Sequence, residues 1–176
     1  MPKIITAKRR ESETDQAREY VKTHVLLPNA LIGMVFMVAG VLALIYQFMS
    51  ESFGWRPFVE TSGLVLTGIV LGWIHTRYQR YLLDRYPGFF AGRLKLFSKG
   101  TLKRQKREVL AQPLEHPGRS WVPLAYAVGI LALLGASFAT ATYGHLYFVA
   151  AFFMPWLGYF WARMFFWRSV LQQGKG

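Results

Sequence analysis

The chain contains no cysteine. That excludes disulfides, thiolate metal sites, thiol catalysis and haem attached through Cys-x-x-Cys-His. Acids are scarce, nine against 21 lysines and arginines, for a formal charge of +12. Outside the N-terminal segment the only acids are Glu51, Glu60, Asp84, Glu108 and Glu115. They are scattered, with no paired-carboxylate spacing and no Ser-His-Asp order, so acid–base and nucleophilic catalysis lack their parts. The balance therefore leans away from an enzyme, with a membrane enzyme acting on lipid kept as an alternative. No stretch resembles a known family closely enough to name one, and no tandem repeat is present.

Charge of either sign is missing from four runs: 30–49, 61–76, 121–144 and 146–162. Their interiors hold no ionisable residue. Gln47, Thr67, Ser137, Thr140 and Thr142 are the strongest polar groups there, which speaks against a pump or ion-coupled transporter. What fills the chain instead is 53% hydrophobic residues, with aromatics at 16%. A bilayer core of about 30 Å needs roughly 20 helical residues. Four such runs leave too little polar surface to cover them in a soluble bundle. The fold expected is an all-α integral membrane protein, with four transmembrane helices as two hairpins joined by a basic, partly helical cytoplasmic loop. The second run is short. The fourth continues past Arg163, an arginine expected to snorkel to the headgroups.

The basic residues set the orientation. Six precede residue 30, eleven fall in 77–120 and three follow residue 162; only Arg56 lies elsewhere. The positive-inside rule makes that side cytoplasmic, with both termini inside, as in a bacterial cytoplasmic membrane. The expected organisation is a cytoplasmic segment 1–29 with a short amphipathic helix, a first hairpin 30–78, a basic loop 79–120, a second hairpin 121–168 and a tail 169–176. Ala17, Tyr20, Val21 and His24 carry the amphipathic helix, which Pro28 is expected to stop. The polar N-terminal region is too long, and the first apolar run too extended, for a cleaved signal peptide. The second residue, Pro2, excludes myristoylation.

The central loop has structure of its own. Pro87-Gly88 breaks the second helix. Phe90, Leu94 and Phe97 then recur at i, i+4 and i+7, the stripe of a helix lying in the membrane interface. Arg93, Lys95, Lys99 and the cluster Lys103, Arg104, Lys106 and Arg107 surround it, a surface for anionic cytoplasmic lipid or an acidic partner. No nucleic-acid recognition fold fits in this loop.

Small residues mark helix-packing faces: Gly63, Gly68 and Gly72 in the second span, and Ala125, Gly129, Ala132 and Ala136 in the third. Such faces let backbones approach closely where lipid supplies no hydrophobic drive. The fourth span is heavily aromatic around Pro155-Trp156. It is either a packed helix or a wall against a flat or prenylated ligand such as a quinone, carotenoid or chlorin. Of the four histidines, only His24 and His75 lie at one depth. No metal site or His-ligated cofactor is expected. The function that best fits is a non-catalytic accessory, assembly or scaffold subunit of a larger membrane complex. The alternatives are a binding protein for an apolar cofactor or lipid, or a membrane enzyme acting on lipid.

Overall fold

The computed structural model describes residues 13–50, 54–98 and 119–173. Regular structure among them is entirely helical. Helix α1 is Glu13–Ser50, α2 is Trp55–Arg85 and α3 is Pro87–Ser98. A 3-10 turn at Arg119–Trp121 leads into α4, Val122–Tyr143, and α5 is Phe148–Gln173. Four of these, α1, α2, α4 and α5, are long and apolar enough to cross a membrane. The shortest, α4 with 22 residues, is about 33 Å long at 1.5 Å per residue, matching a hydrocarbon core. The short second run proves to be the middle of a 31-residue helix. Large apolar side chains face outward along these helices, among them Leu42, Leu66, Val70, Leu131 and Phe138. Water would not tolerate that surface, and it supports a multi-pass membrane protein.

The two expected hairpins are interleaved. Helix α5 packs most extensively on α2, then on α1 and α4, whereas the Leu27–Ser50 part of α1 makes little contact with α2. The reason lies in their small residues. A Cβ on Gly68 would collide with the Pro155 carbonyl, and one on Gly72 would lie 2.6 Å from the Tyr159 carbonyl oxygen. In return, a Cβ on Gly158 of α5 would collide with the Val65 carbonyl of α2. On α1, Gly40 faces Met154 and Gly33 faces Phe160 and Trp161, whose indole N–H donates to the Gly33 carbonyl. Phe36 of α1 then stacks on Phe160, with ring centroids 5.5 Å apart. Much of the aromatic content of the fourth span thus packs against α1.

Pro28 does not stop the first helix. The chain widens into a π-helical turn at Val21–Leu26 and continues. A proline removes one backbone donor and crowds the carbonyl four residues earlier, and a wider turn accommodates both. Buried Asn29 secures it by donating from Nδ2 to the Val25 carbonyl at 2.5 Å. The helix before this turn does not lie on a bare surface. Ala17, Tyr20 and Val21 are buried with Leu82, Leu83, Phe90 and Trp167 in a core at the end of the bundle that carries the basic residues.

That core also corrects the interfacial reading of α3. Phe90 is 5% exposed, and Leu94 packs beside it, so these two members of the stripe meet protein. Tertiary burial of an apolar stripe and membrane burial make the same sequence pattern, and here the neighbouring helix ends offer the closer partner. Arg93 lies over the Phe89 ring at 4.5 Å. The backbone places Lys95 and Phe97 on α3. Lys99, Lys103, Arg104, Lys106 and Arg107 fall outside the described residues.

Gln47 locks the opposite end of the bundle. It is 3% exposed. Its Nε2 donates to the His145 carbonyl at 2.8 Å, and its Oε1 accepts the Tyr147 N–H at 3.0 Å. Glu60 of α2 accepts the His145 N–H at 2.9 Å. The turn between α4 and α5 is thereby tied to both α1 and α2. Leaving the buried Gln47 amide unpaired would cost about 1–3 kcal/mol.

Candidate functional site

A cavity of about 480 Å³ opens between α2, α4 and α5. Its walls are apolar over most of their extent, with Leu71, Ile74, Ile130, Leu133 and Phe160 among them. Ala125 and Gly129 supply the α4 wall, and the missing side-chain bulk there is what leaves the space open. A volume between 300 and 1,000 Å³, mostly apolar with a few convergent polar groups, is characteristic of small-molecule sites.

The polar groups converge at one end. His75 of α2 is hydrogen-bonded through Nδ1 to the Tyr159 hydroxyl of α5 and through Nε2 to the Tyr126 hydroxyl of α4. One imidazole therefore joins three helices. Arg163, one turn after Tyr159, donates from Nη1 to its hydroxyl at 3.4 Å and from Nη2 to Gln79 Oε1 at 3.1 Å. The same Gln79 oxygen accepts the Trp167 indole N–H at 3.3 Å. Arg163 Nε and Trp156 Nε1 are buried and unpartnered. Arg163 is held against the bundle because Gln79 and Tyr159 offer it acceptors there.

The histidines do not gather into a ligand set. His24 stacks on Tyr20 with ring centroids 5.0 Å apart, and His145 pairs with Glu60 at the far end. Both nitrogens of His75 are already engaged. His116 lies outside the described residues. Among the described residues no group of three or more His, Cys, Asp or Glu side chains could hold a metal ion.

The small-residue faces divide. Gly68 and Gly72 abut the backbone of α5, while a Cβ on Gly63 or Gly129 would meet nothing within 4 Å. Ala136 packs against the core that contains Leu64 and Met154. Ala132 is exposed, and Ala125 and Gly129 line the cavity. Helix α4 does not use Gly129 for close packing, since it touches α5 chiefly elsewhere along its length.

Sequence reasoning passed over the centre of this site. In the sequence His75 reads only as a partner for His24, and Tyr126 and Gln79 carry no motif. The usable signal was spacing: His75 and Gln79 lie four apart on α2, and Tyr159 and Arg163 four apart on α5, so each pair shares a helix face. No known protein family, curated protein or solved structure matches this chain.

Proposed function

We propose that this protein is a multi-pass protein of a bacterial cytoplasmic membrane that binds an apolar ligand with a hydrogen-bonding headgroup. The cavity between α2, α4 and α5, apolar along its walls and polar at one end, carries this reading. Its polar end would lie toward the cytoplasm, because the basic residues cluster on that side of the bundle. The chain does no chemistry on the ligand in this reading: the site holds no carboxylate and no nucleophile beside a free base. Gly129→Phe is the informative variant, since a side chain there enters open space. Wild-type protein purified in mild detergent is expected to carry a stoichiometric apolar molecule by mass spectrometry and absorption. The Gly129→Phe variant, folded to the same degree, should lack it. Equal content in both would overturn the proposal.

An accessory or scaffold role in a larger membrane complex is the second reading. Helix α4 favours it, being the least buried of the four spans, with exposed Ala132 beside exposed Leu131 and Val128. Other membrane subunits would cover it, while anionic lipid of the cytoplasmic leaflet meets the basic loop. Co-purification of a second membrane chain that is lost on Ala132→Trp would support this reading.

The orientation has its own test, helped by the absence of native cysteine. A cysteine replacing Tyr143, which is 88% exposed, is expected to react with a membrane-impermeant thiol reagent in intact cells. Tyr143 is a better probe than Gly144, where a Cβ would meet Thr140 and Glu60 oxygens at 2.5 and 2.7 Å. A cysteine replacing exposed Gln172 should react only after permeabilisation. Reaction at 172 in intact cells would reverse the arrangement.

A further inference from the structure

The polar end of the cavity has more hydrogen-bond donors than acceptors, whatever the protonation of His75. A neutral imidazole has one N–H and one bare nitrogen. If Nδ1 carries the hydrogen, it donates to Tyr159, which also accepts from Arg163. The Tyr159 O–H is then unspent, while Tyr126 donates to Nε2. If Nε2 carries it, the Tyr126 O–H is unspent instead. An imidazolium leaves both unspent. Gln79 Oε1 has no capacity to spare, because Arg163 and Trp167 already occupy its two lone pairs. Two further N–H groups, Arg163 Nε and Trp156 Nε1, are unpaired in the cavity wall.

Charge points the same way. Arg163 is permanently cationic, and no carboxylate lines the cavity. Among the described residues no acid pairs with Arg163. An unpaired charge away from water is costly, and a donor-rich, cationic pocket end offsets that cost by taking up an anion. Resting on the proposed ligand site, we infer that its occupant is a single-chain acidic amphiphile. Its anionic oxygens, of a carboxylate or a phosphate monoester, sit against Arg163 and the free tyrosine hydroxyl. Its chain runs along Leu71, Ile74, Ile130 and Leu133.

Dibromostearate tests this in maltoside micelles at alkaline pH, because bromine quenches nearby indole fluorescence and Trp156 stands in the cavity wall. Its methyl ester carries the same quencher without the charge. In wild type, dibromostearate is expected to quench saturably at about tenfold lower concentration than the ester, the worth of one charge-assisted hydrogen bond. Trp156→Phe should remove the saturable component. Arg163→Gln should make acid and ester equal, Arg163→Lys should keep part of the difference, and Arg168→Gln, at an exposed arginine on the same helix, should keep all of it. Stronger displacement of the probe by oleate than by an oleoyl lysophosphatidate would assign the carboxylate, and the reverse the phosphate. Equal saturable quenching by acid and ester in wild type, lost in Gly129→Phe, would overturn the anion while leaving the ligand site standing. So would stronger displacement by decylubiquinone than by either acid. Quenching that is unsaturable and indifferent to Gly129→Phe would overturn both.

Discussion

Gly68→Leu is expected to prevent the bundle from forming. The Pro155 carbonyl and the Tyr159 N–H occupy the space a side chain at 68 would need. Those are backbone atoms of α5, which cannot rotate away as a side-chain tip can. Relief requires α2 and α5 to move apart, and that contact is the most extensive in the molecule. A cost of about 4 kcal/mol or more places the change among the most damaging single substitutions. Gly72→Leu meets the Tyr159 carbonyl in the same way and should fail similarly. Gly63→Leu and Gly129→Leu are the controls, with open space at both positions, and should stay within about 0.5 kcal/mol of wild type. Size-exclusion profiles and thermal melts of detergent-purified protein measure the contrast. Monodisperse Gly68→Leu protein melting like wild type would sink the α2–α5 contact as described.

Trp167→Ala has the second largest expected effect, and it acts at the other kind of core. Trp167 is wholly buried among Ala17, Tyr20, Val21, Leu82, Leu83 and Phe90. It gathers the start of α1, the end of α2, α3 and α5 into one cluster. Removing so large a buried side chain costs about 3–5 kcal/mol. The loss should be local before it is global: α3 and the segment before the π-helical turn detach while the spans stay packed. Trypsin cleavage after exposed Arg93 should therefore accelerate more than the melting temperature falls. Trp167→Phe keeps most of the volume and gives up only the indole bond to Gln79, which Arg163 still engages. It should cost about 1 kcal/mol. Unchanged proteolysis of the alanine variant would show that the cluster does not hold α3.

The four long apolar helices were legible in the sequence because the bilayer imposes a length and a composition that few other folds share. Gly68 and Gly72 were legible because two glycines four apart in an apolar run have few other uses. Gly33, Gly40 and Gly158 were not, since each stands alone among large side chains and only the facing helix gives it meaning. Order of packing was equally hidden. Chain connectivity suggests that neighbours in sequence pair, yet α5 separates α1 from α2. The interfacial reading of Phe90 and Leu94 failed because an apolar stripe does not say whether lipid or protein covers it. The cavity was invisible for a related reason: it is defined by what Ala125 and Gly129 leave empty. His75, Tyr126, Tyr159 and Arg163 become a site only when three helices bring them together.

The central place of α5 has a consequence in time. It is the last of the four spans to be synthesised, and the other three have their main contacts with it rather than with one another. At roughly 5–20 residues per second, α1 and α2 would wait several seconds for it with Gly33, Gly40, Gly68 and Gly72 uncovered. During that interval the contact of Ala17, Tyr20 and Val21 with Leu82, Leu83 and Phe90 at one end is what can hold them together. The bundle as a whole therefore closes late, once α5 has been made. A ribosome stalled anywhere before residue 148 would leave three unassembled spans, each displaying a glycine or alanine face open to the wrong helix or to a membrane protease.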